Sequence, residues 1–592
     1  MPASHWWKIL LGNKSASPPT FQNPIIRGFN PDPTVCVVPG TAQEPTRFFL
    51  STSTFEYTPS CPIYTSTDLL NWKFIGHALT RHSQIDLRTV EPGAGSWAST
   101  LRYRASEKRF YLTTGVFHRY RPATDERIFP RGFYVWTDNI LDDSTWSDPV
   151  YFDNPGFDQD LFWDPNDNHA VYLSTTVRVA ERDPASKLKD FAIHISKVDV
   201  KTGRTLTAPK VIRQSEFGVA EGSHILYKAP YYYLFVAEGG TEAGHQEWVF
   251  RSTQGVYGPW ESQGKPLWYN GPDEEVQRTG HADVFEDGKG RWWAVFLGVR
   301  PGRDVGGKWL EPQLGRETFL VTVEWVDGWP VFNDGENVRL VTKGRDAVVQ
   351  EIEEKRMGKG EVKWTADLSG KDLELGWYQK NTPLKKCYSL TERPGYLRVW
   401  GNCYNLSSPE APAMLLRKQT EYHESFHAAL NFDPSKAGYE AGIVVYWSPF
   451  SYAAIGIGAV KIDGKTTPTI VCRKPQGRAG AFQDSTPLLD KRGKLFLLEN
   501  DSLKLCAEAC NGTYRMYAKH LKHHSDAGDA ESFTFTSEEL AITPPVGMSF
   551  TGAMFGVYAF GSWEPVLVPA DFSDVHVREG TGRELDNAEW IW

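Results

Sequence analysis

Aromatic and apolar residues fall along the first half of the chain in short bursts that return at a fixed interval. The bursts are RFFLSTST at Phe49, RFYLTT at Tyr111, AVYLSTT at Tyr172, YYYLFVA at Tyr232 and RWWAVFLG at Trp293. Neighbouring markers stand 62, 61, 60 and 61 residues apart, an internal repeat of five units. Each unit holds further strand-like runs, such as PIYTSTDLLNWKFIG after Phe49 and GFYVWTDNILDDSTWSDPV after Tyr111. Strand-rich units of this length with turn residues between them predict blades of about four strands.

Beyond Trp293 the strand pattern ends near ETFLVTVEWVDGWPVF. A charged stretch, KGRDAVVQEIEEKRMGKGEVK, then reads as a linker, placed at 346–362. After it the interval is lost, and alternating runs such as GYLRVWG, AGIVVYWS and AMFGVYAF return between Pro and Gly turns. The fold class is therefore all-β: a five-bladed β-propeller over 21–345, followed by a jelly-roll β-sandwich over 363–592, with an N-terminal tail at 1–20.

The residue a dozen or so positions upstream of each marker is polar or aromatic and sits at similar phase. These are Asp32 in NPDP, Trp97 in GSWAST, Asp158 in GFDQDLFWD, Glu221 in EGSH and His281 in TGHAD. If the innermost strand opens each blade, all five project toward the propeller axis. Three carboxylates, an indole and an imidazole then meet in one pocket. Two prolines flank Asp32 and fix its backbone. Phe55, just past the first marker, is a candidate pocket wall. Arg300 closes the last marker strand, where a guanidinium could hold hydroxyls. GFDQDLFWDPND carries four acids but lacks the spacing and closing Glu of an EF-hand loop.

Composition narrows the class. At 592 residues the chain is too long for one core. The net charge of −9 argues against nucleic acid or an anionic membrane as partner. No apolar run reaches the roughly 20 residues of a membrane helix. The opening MPASHWWKILLGNKSASPPT lacks a signal-peptide core, so the expectation is a protein that is intracellular or begins after a removed signal. Seven scattered cysteines read as buried thiols, and four Asn-x-Ser/Thr sites lean slightly toward secretion. Aromatics make up 13% of the chain, with 22 Trp, which suits both β-rich cores and the stacking of sugar rings.

NPDP, GFDQDLFWD, EGSH and GHAD followed by GVRP resemble glycoside hydrolase family 43, five-bladed propellers that act as β-xylosidases and α-L-arabinofuranosidases. SLTERPGYLRVWG resembles the sandwich of its two-domain members. The resemblance implies Asp32 as general base, Glu221 as general acid and Asp158 as the residue that tunes and orients the acid. It departs at EGSH, where many members have Pro before the His. It implies Trp97 and Phe55 as pocket walls, Arg300 and His281 as substrate contacts, and Trp563 as the reach of the sandwich over the pocket. No cofactor is required; a water-bound calcium of the family would map onto His281. Inversion would set Asp32 and Glu221 roughly 6.5–9.5 Å apart.

The expected activity is exo-acting release of terminal α-L-arabinofuranose from arabinoxylan or xylooligosaccharide. The insertion HRYRPATDERIFPRGFYV, which resembles a fungal branch, favours this over β-xylosidase or a bifunctional enzyme. A non-catalytic carbohydrate-binding protein is the alternative from another class.

Overall fold

The computed structural model describes residues 19–117, 130–179, 190–304, 306–344, 361–474, 486–489, 495, 498, 502–510, 512–521, 532–537 and 550–580. Residues 1–18 of the expected tail, most of the expected linker and most of the HRYRP insertion lie outside them. Among the described residues the only helical turns are two of 3₁₀ type, Asp143–Thr145 and Asn333–Gly335. No helix there is long and apolar enough to cross a membrane.

Five antiparallel sheets follow one another in chain order. Their innermost strands are Thr34–Val38, Gly95–Arg104, Phe157–Trp163, Ala220–Lys228 and Gln277–Glu286. All five aromatic markers lie on the second strand of their blade, next to the inner one. Their side chains alternate into the layers between blades: Phe49 packs with Phe110, and Trp293 with Phe48 and Leu320. This is why the marker returns at so constant an interval. It buries the same inter-blade surface each time.

The ring is closed by the start of the chain. Thr20–Gln22 pairs with Val341–Lys343, and Asn23 binds both the N–H and the carbonyl of Leu320 in blade five. The innermost strand of each blade is the edge of its sheet at the axis, short and protected by its neighbours in the closed ring, so its exposed side chains can carry a site.

The C-terminal unit is a sandwich of an eight-stranded and a six-stranded sheet. Phe426, Leu505, Met516 and Phe572 meet Ile443, Val445, Ile455 and Val557 between them. The other face of the six-stranded sheet is also apolar. Val444, Tyr446, Met554 and Tyr558 cluster with Phe29 and Tyr57 of blade one. A two-residue ladder, Gln379–Lys380 with Tyr57–Thr58, continues the contact, and Lys418 Nζ donates to Asn30 Oδ1 at 2.8 Å. The sandwich is thereby fixed over the end of the propeller that carries Asp32.

Candidate active site

Each inner strand breaks its regular backbone near the predicted axial position. Asp32, Ala98, Asp158, Gly222 and His281 have φ of 54°, 33°, 55°, 62° and 56°. The ladders shift register between Trp97 and Thr100, Phe157 and Asp160, Glu221 and His224, and Gln277 and Asp283. Such bulges re-aim side chains beside functional sites. A non-glycine residue in the left-handed region costs on the order of 1–3 kcal/mol, which persists only where surrounding structure over-determines it. Gly222 has a further reason: a Cβ there would meet the His281 ring at 2.8 Å.

The result is one cavity of about 290 Å³ lined by Asp32, Asp158 and Glu221 together with Phe55, Trp97 and His281. Its three acids have different surroundings. Asp32 accepts from Ser53 Oγ at 2.6 Å and from Arg316 Nη1 at 3.3 Å, with His281 Nδ1 at 3.5 Å. Asp158 Oδ2 accepts from the Gly222 N–H at 2.8 Å and the Thr176 hydroxyl at 3.3 Å. Burial, then the charges of Glu221 and Asp32, push the Asp158 carboxyl well above the usual range. The negative charge of Glu221 thus disfavours ionisation of Asp158, on top of burial. Burial likewise holds His281 and His245, another lining residue, neutral, each down to about 4.

Two expected substrate contacts lie elsewhere. Arg300 sits just past its strand, where the fully buried Glu317 requires a cation. Its Nε donates to Glu317 at 2.7 Å, its Nη1 to Glu421 at 2.9 Å and its Nη2 to the Thr420 carbonyl at 2.6 Å, which ties blade five to the sandwich. The guanidinium in the pocket belongs instead to Arg316, which also donates to Thr241 Oγ1 at 2.9 Å and to the Phe550 carbonyl. Trp563 is 90% exposed and lines a different cavity. The sandwich reaches the pocket through Phe550, whose ring stacks on Phe55 at 5.5 Å and 14° and lies 6.4 Å from Trp97.

A second polar ring, unanticipated from the sequence, follows on the same five strands. Arg102 donates to Asp160 at 2.9 and 2.8 Å, to Asp283 at 2.8 and 3.3 Å, and approaches His224 Nδ1 at 3.1 Å. His224 also meets Asp160 at 3.0 Å, and Thr34 donates to Asp283 at 2.8 Å. Burial alone would raise both carboxyls; the Arg102 charge outweighs it and leaves them below their usual value. This bears on the calcium mapped onto His281. Asp160 and Asp283 already pair with the Arg102 guanidinium, Asp32 is held by Ser53 and Arg316, and no cluster of metal-binding side chains occurs among the described residues. The donor set does not fit a cation site, and no catalytic step is routed through one.

Residues 21–330 match glycosyl hydrolases family 43, and residues 365–578 match the β-xylosidase C-terminal concanavalin A-like domain. The chain belongs to glycosyl hydrolases family 43. It is a glycoside hydrolase. A non-reducing end α-L-arabinofuranosidase of Bacteroides ovatus is 31% identical over 95% of this chain and 96% of its own. A xylosidase/arabinosidase of Humicola insolens is 27% identical over 91% of this chain and 94% of its own. The crystal structure of a xylan β-1,4-xylosidase from Bacillus halodurans superposes with a TM-score of 0.78 at 26% identity, covering 94% of this chain and all of the other. Family 43 membership accounts for the propeller and for the sandwich beside it.

Proposed function

We propose that this family 43 protein is an inverting exo-hydrolase that removes terminal α-L-arabinofuranose from arabinoxylan. The observation that carries the reading is the convergence of Asp32, Asp158 and Glu221 on one cavity whose size is at the lower end of ligand pockets, about 300–1,000 Å³. Phe550 of the sandwich stands against Phe55 and Trp97 at its wall, which suits a chain end rather than a chain passing through.

In this reading Glu221 gives its proton to the glycosidic oxygen as the bond to the anomeric carbon breaks. Asp32, oriented by Ser53 and Arg316, takes a proton from a water that attacks the opposite face of the sugar. The products are a pentose of inverted configuration and a xylan chain that has lost that branch. Asp158 touches neither reacting atom. Its charge raises the proton affinity of Glu221, and its bond to the Gly222 N–H fixes the backbone next to the acid. Arg316 offers donors to sugar hydroxyls, and the neutral imidazole of His245, whose Nδ1–H donates to the Arg278 carbonyl at 2.9 Å, offers Nε2 as an acceptor.

β-Xylosidase or dual activity is the second reading, since relatives of comparable identity are named as xylosidases and as xylosidase/arabinosidases. The test is hydrolysis of aryl α-L-arabinofuranoside and aryl β-D-xyloside by the wild type and by Glu221→Ala. The arabinofuranoside should be the better substrate, and the variant should lose about 10²–10⁴-fold in rate on it. Preference for the xyloside would select the second reading. Full activity in Glu221→Ala would remove the acid assignment.

A further inference from the structure

The six-stranded sheet of the sandwich has a second cavity, of about 320 Å³, with Trp563 at its mouth. It lies on the sheet face that packs against the propeller, because Phe560 belongs both to that interface cluster and to the cavity lining. Its floor is paved with glycine. A Cβ on Gly458 would meet the Val471 side chain at 2.9 Å, and one on Gly438 would meet Ser562 Cβ at 2.9 Å. The space is thus kept open by the sequence.

One wall is a fixed ion pair. Arg473 donates to both Glu440 oxygens at 2.8 and 2.9 Å, and the Tyr558 hydroxyl adds a third bond to the same carboxylate at 2.8 Å. A planar guanidinium–carboxylate pair of this kind presents donors and acceptors in a rigid array. The other wall is an indole. Trp563 is the most exposed large hydrophobic side chain among the described residues, at 90%, and its backbone has φ of 63°.

The loop that carries Trp563 is tied down on both sides. The Gly561 N–H donates to the Asn402 carbonyl at 2.8 Å and the Val566 N–H to the Gly401 carbonyl at 3.0 Å. Tyr439 Oη donates to the Pro565 carbonyl at 3.0 Å, and Lys436 pairs with Glu564. A left-handed tryptophan on an anchored loop costs stability and buries almost nothing in return. Strain of this sort collects at ligand sites, and a flat aromatic face beside polar groups is the chemistry that holds a sugar ring, apolar on its C–H face and polar at its rim.

We propose that this cavity is a second saccharide site that holds a neutral xylan chain away from the catalytic pocket. Trp563 stacks on one ring, and the Glu440–Arg473 pair binds hydroxyls of that ring or its neighbour. The choice of xylan rests on the function proposed for the catalytic pocket, and the following experiment separates the two.

Full-length Glu221→Gln, which cannot cleave the probe, is run through native gels containing soluble arabinoxylan, alone and combined with Trp563→Ala or Trp563→Phe. Trp563→Ala should weaken retardation at least about tenfold, and Trp563→Phe should retain most of it. In the otherwise wild-type chain, Trp563→Ala should leave aryl-glycoside kcat/KM within about twofold, as the side chain contacts nothing in the pocket. Retardation unchanged by Trp563→Ala would place all binding in the catalytic pocket and overturn the proposal. So would absence of retardation in all three Glu221→Gln proteins. Trp563-dependent retardation by a protein that cleaves neither aryl glycoside would leave this site standing and the proposed function fallen.

Discussion

In the proposed mechanism the charge on Asp158 acts on its neighbour Glu221. Asp158 is buried beside Glu221, and its bonds from the Gly222 N–H and Thr176 hydroxyl favour an acceptor oxygen. While Asp158 is charged, Glu221 keeps its proton to higher pH. Asp158→Asn removes that charge and retains the shape, so Glu221 should lose its proton earlier. The alkaline limb of kcat should move to lower pH, because a neighbouring negative charge that disfavoured ionisation of Glu221 is gone. An unmoved limb in a folded variant would show that Asp158 acts only as a scaffold. All five residues at the predicted axial phase do line this cavity, because a repeat makes phase equivalent to position. Arg316 escaped notice for the same reason. It precedes the third strand of its blade, Glu317–Val326, where no repeat marker points, whereas Arg300 ends a marker strand and is drawn aside by the buried Glu317.

At the scale of strands, the sequence announces the blades but not their bulges. Marker aromatics are visible because they fill the layer between blades. A register shift is a hydrogen-bonding event with little compositional trace beyond glycines such as Gly222 and Gly280. Gly222 brings the Glu221 turn against the His281 ring, where φ is 62° and a Cβ would come within 2.8 Å of the ring. Gly222→Ala should therefore destabilise the fold by about 2 kcal/mol or more, from the left-handed backbone and the clash together. It should also cost more activity than stability, since both Glu221, the acid of the proposed mechanism, and the N–H that binds Asp158 move. Urea unfolding and aryl-glycoside rates on the same preparation would measure the two effects. A variant as stable and active as wild type would mean that the ring and the turn are free to separate.

At the scale of the molecule, the two units depend on one another through buried groups. Phe550 completes the pocket, Arg300 links Glu317 to Glu421, and Lys418 donates to Asn30, two residues before Asp32. None of these was legible, because interactions between distant segments leave no local pattern. The axis is also a property of the whole ring: Thr34, Arg102, Asp160, His224 and Asp283 come one from each blade. Arg102 is the cation that lets two buried aspartates face each other there. Its replacement by Met keeps the volume and removes the charge, leaving two buried carboxylates that repel. Breaking a buried ion pair from one side costs about 3–5 kcal/mol, so Arg102→Met should unfold at markedly lower urea concentration. Prolonged dialysis of the wild type against a chelator should by contrast shift neither its unfolding midpoint nor its rates, because the guanidinium already supplies the positive charge. If chelation lowered the midpoint by several degrees and calcium restored it, the axis would need a metal ion in addition to Arg102. The balance of charge described for its five residues would then be incomplete.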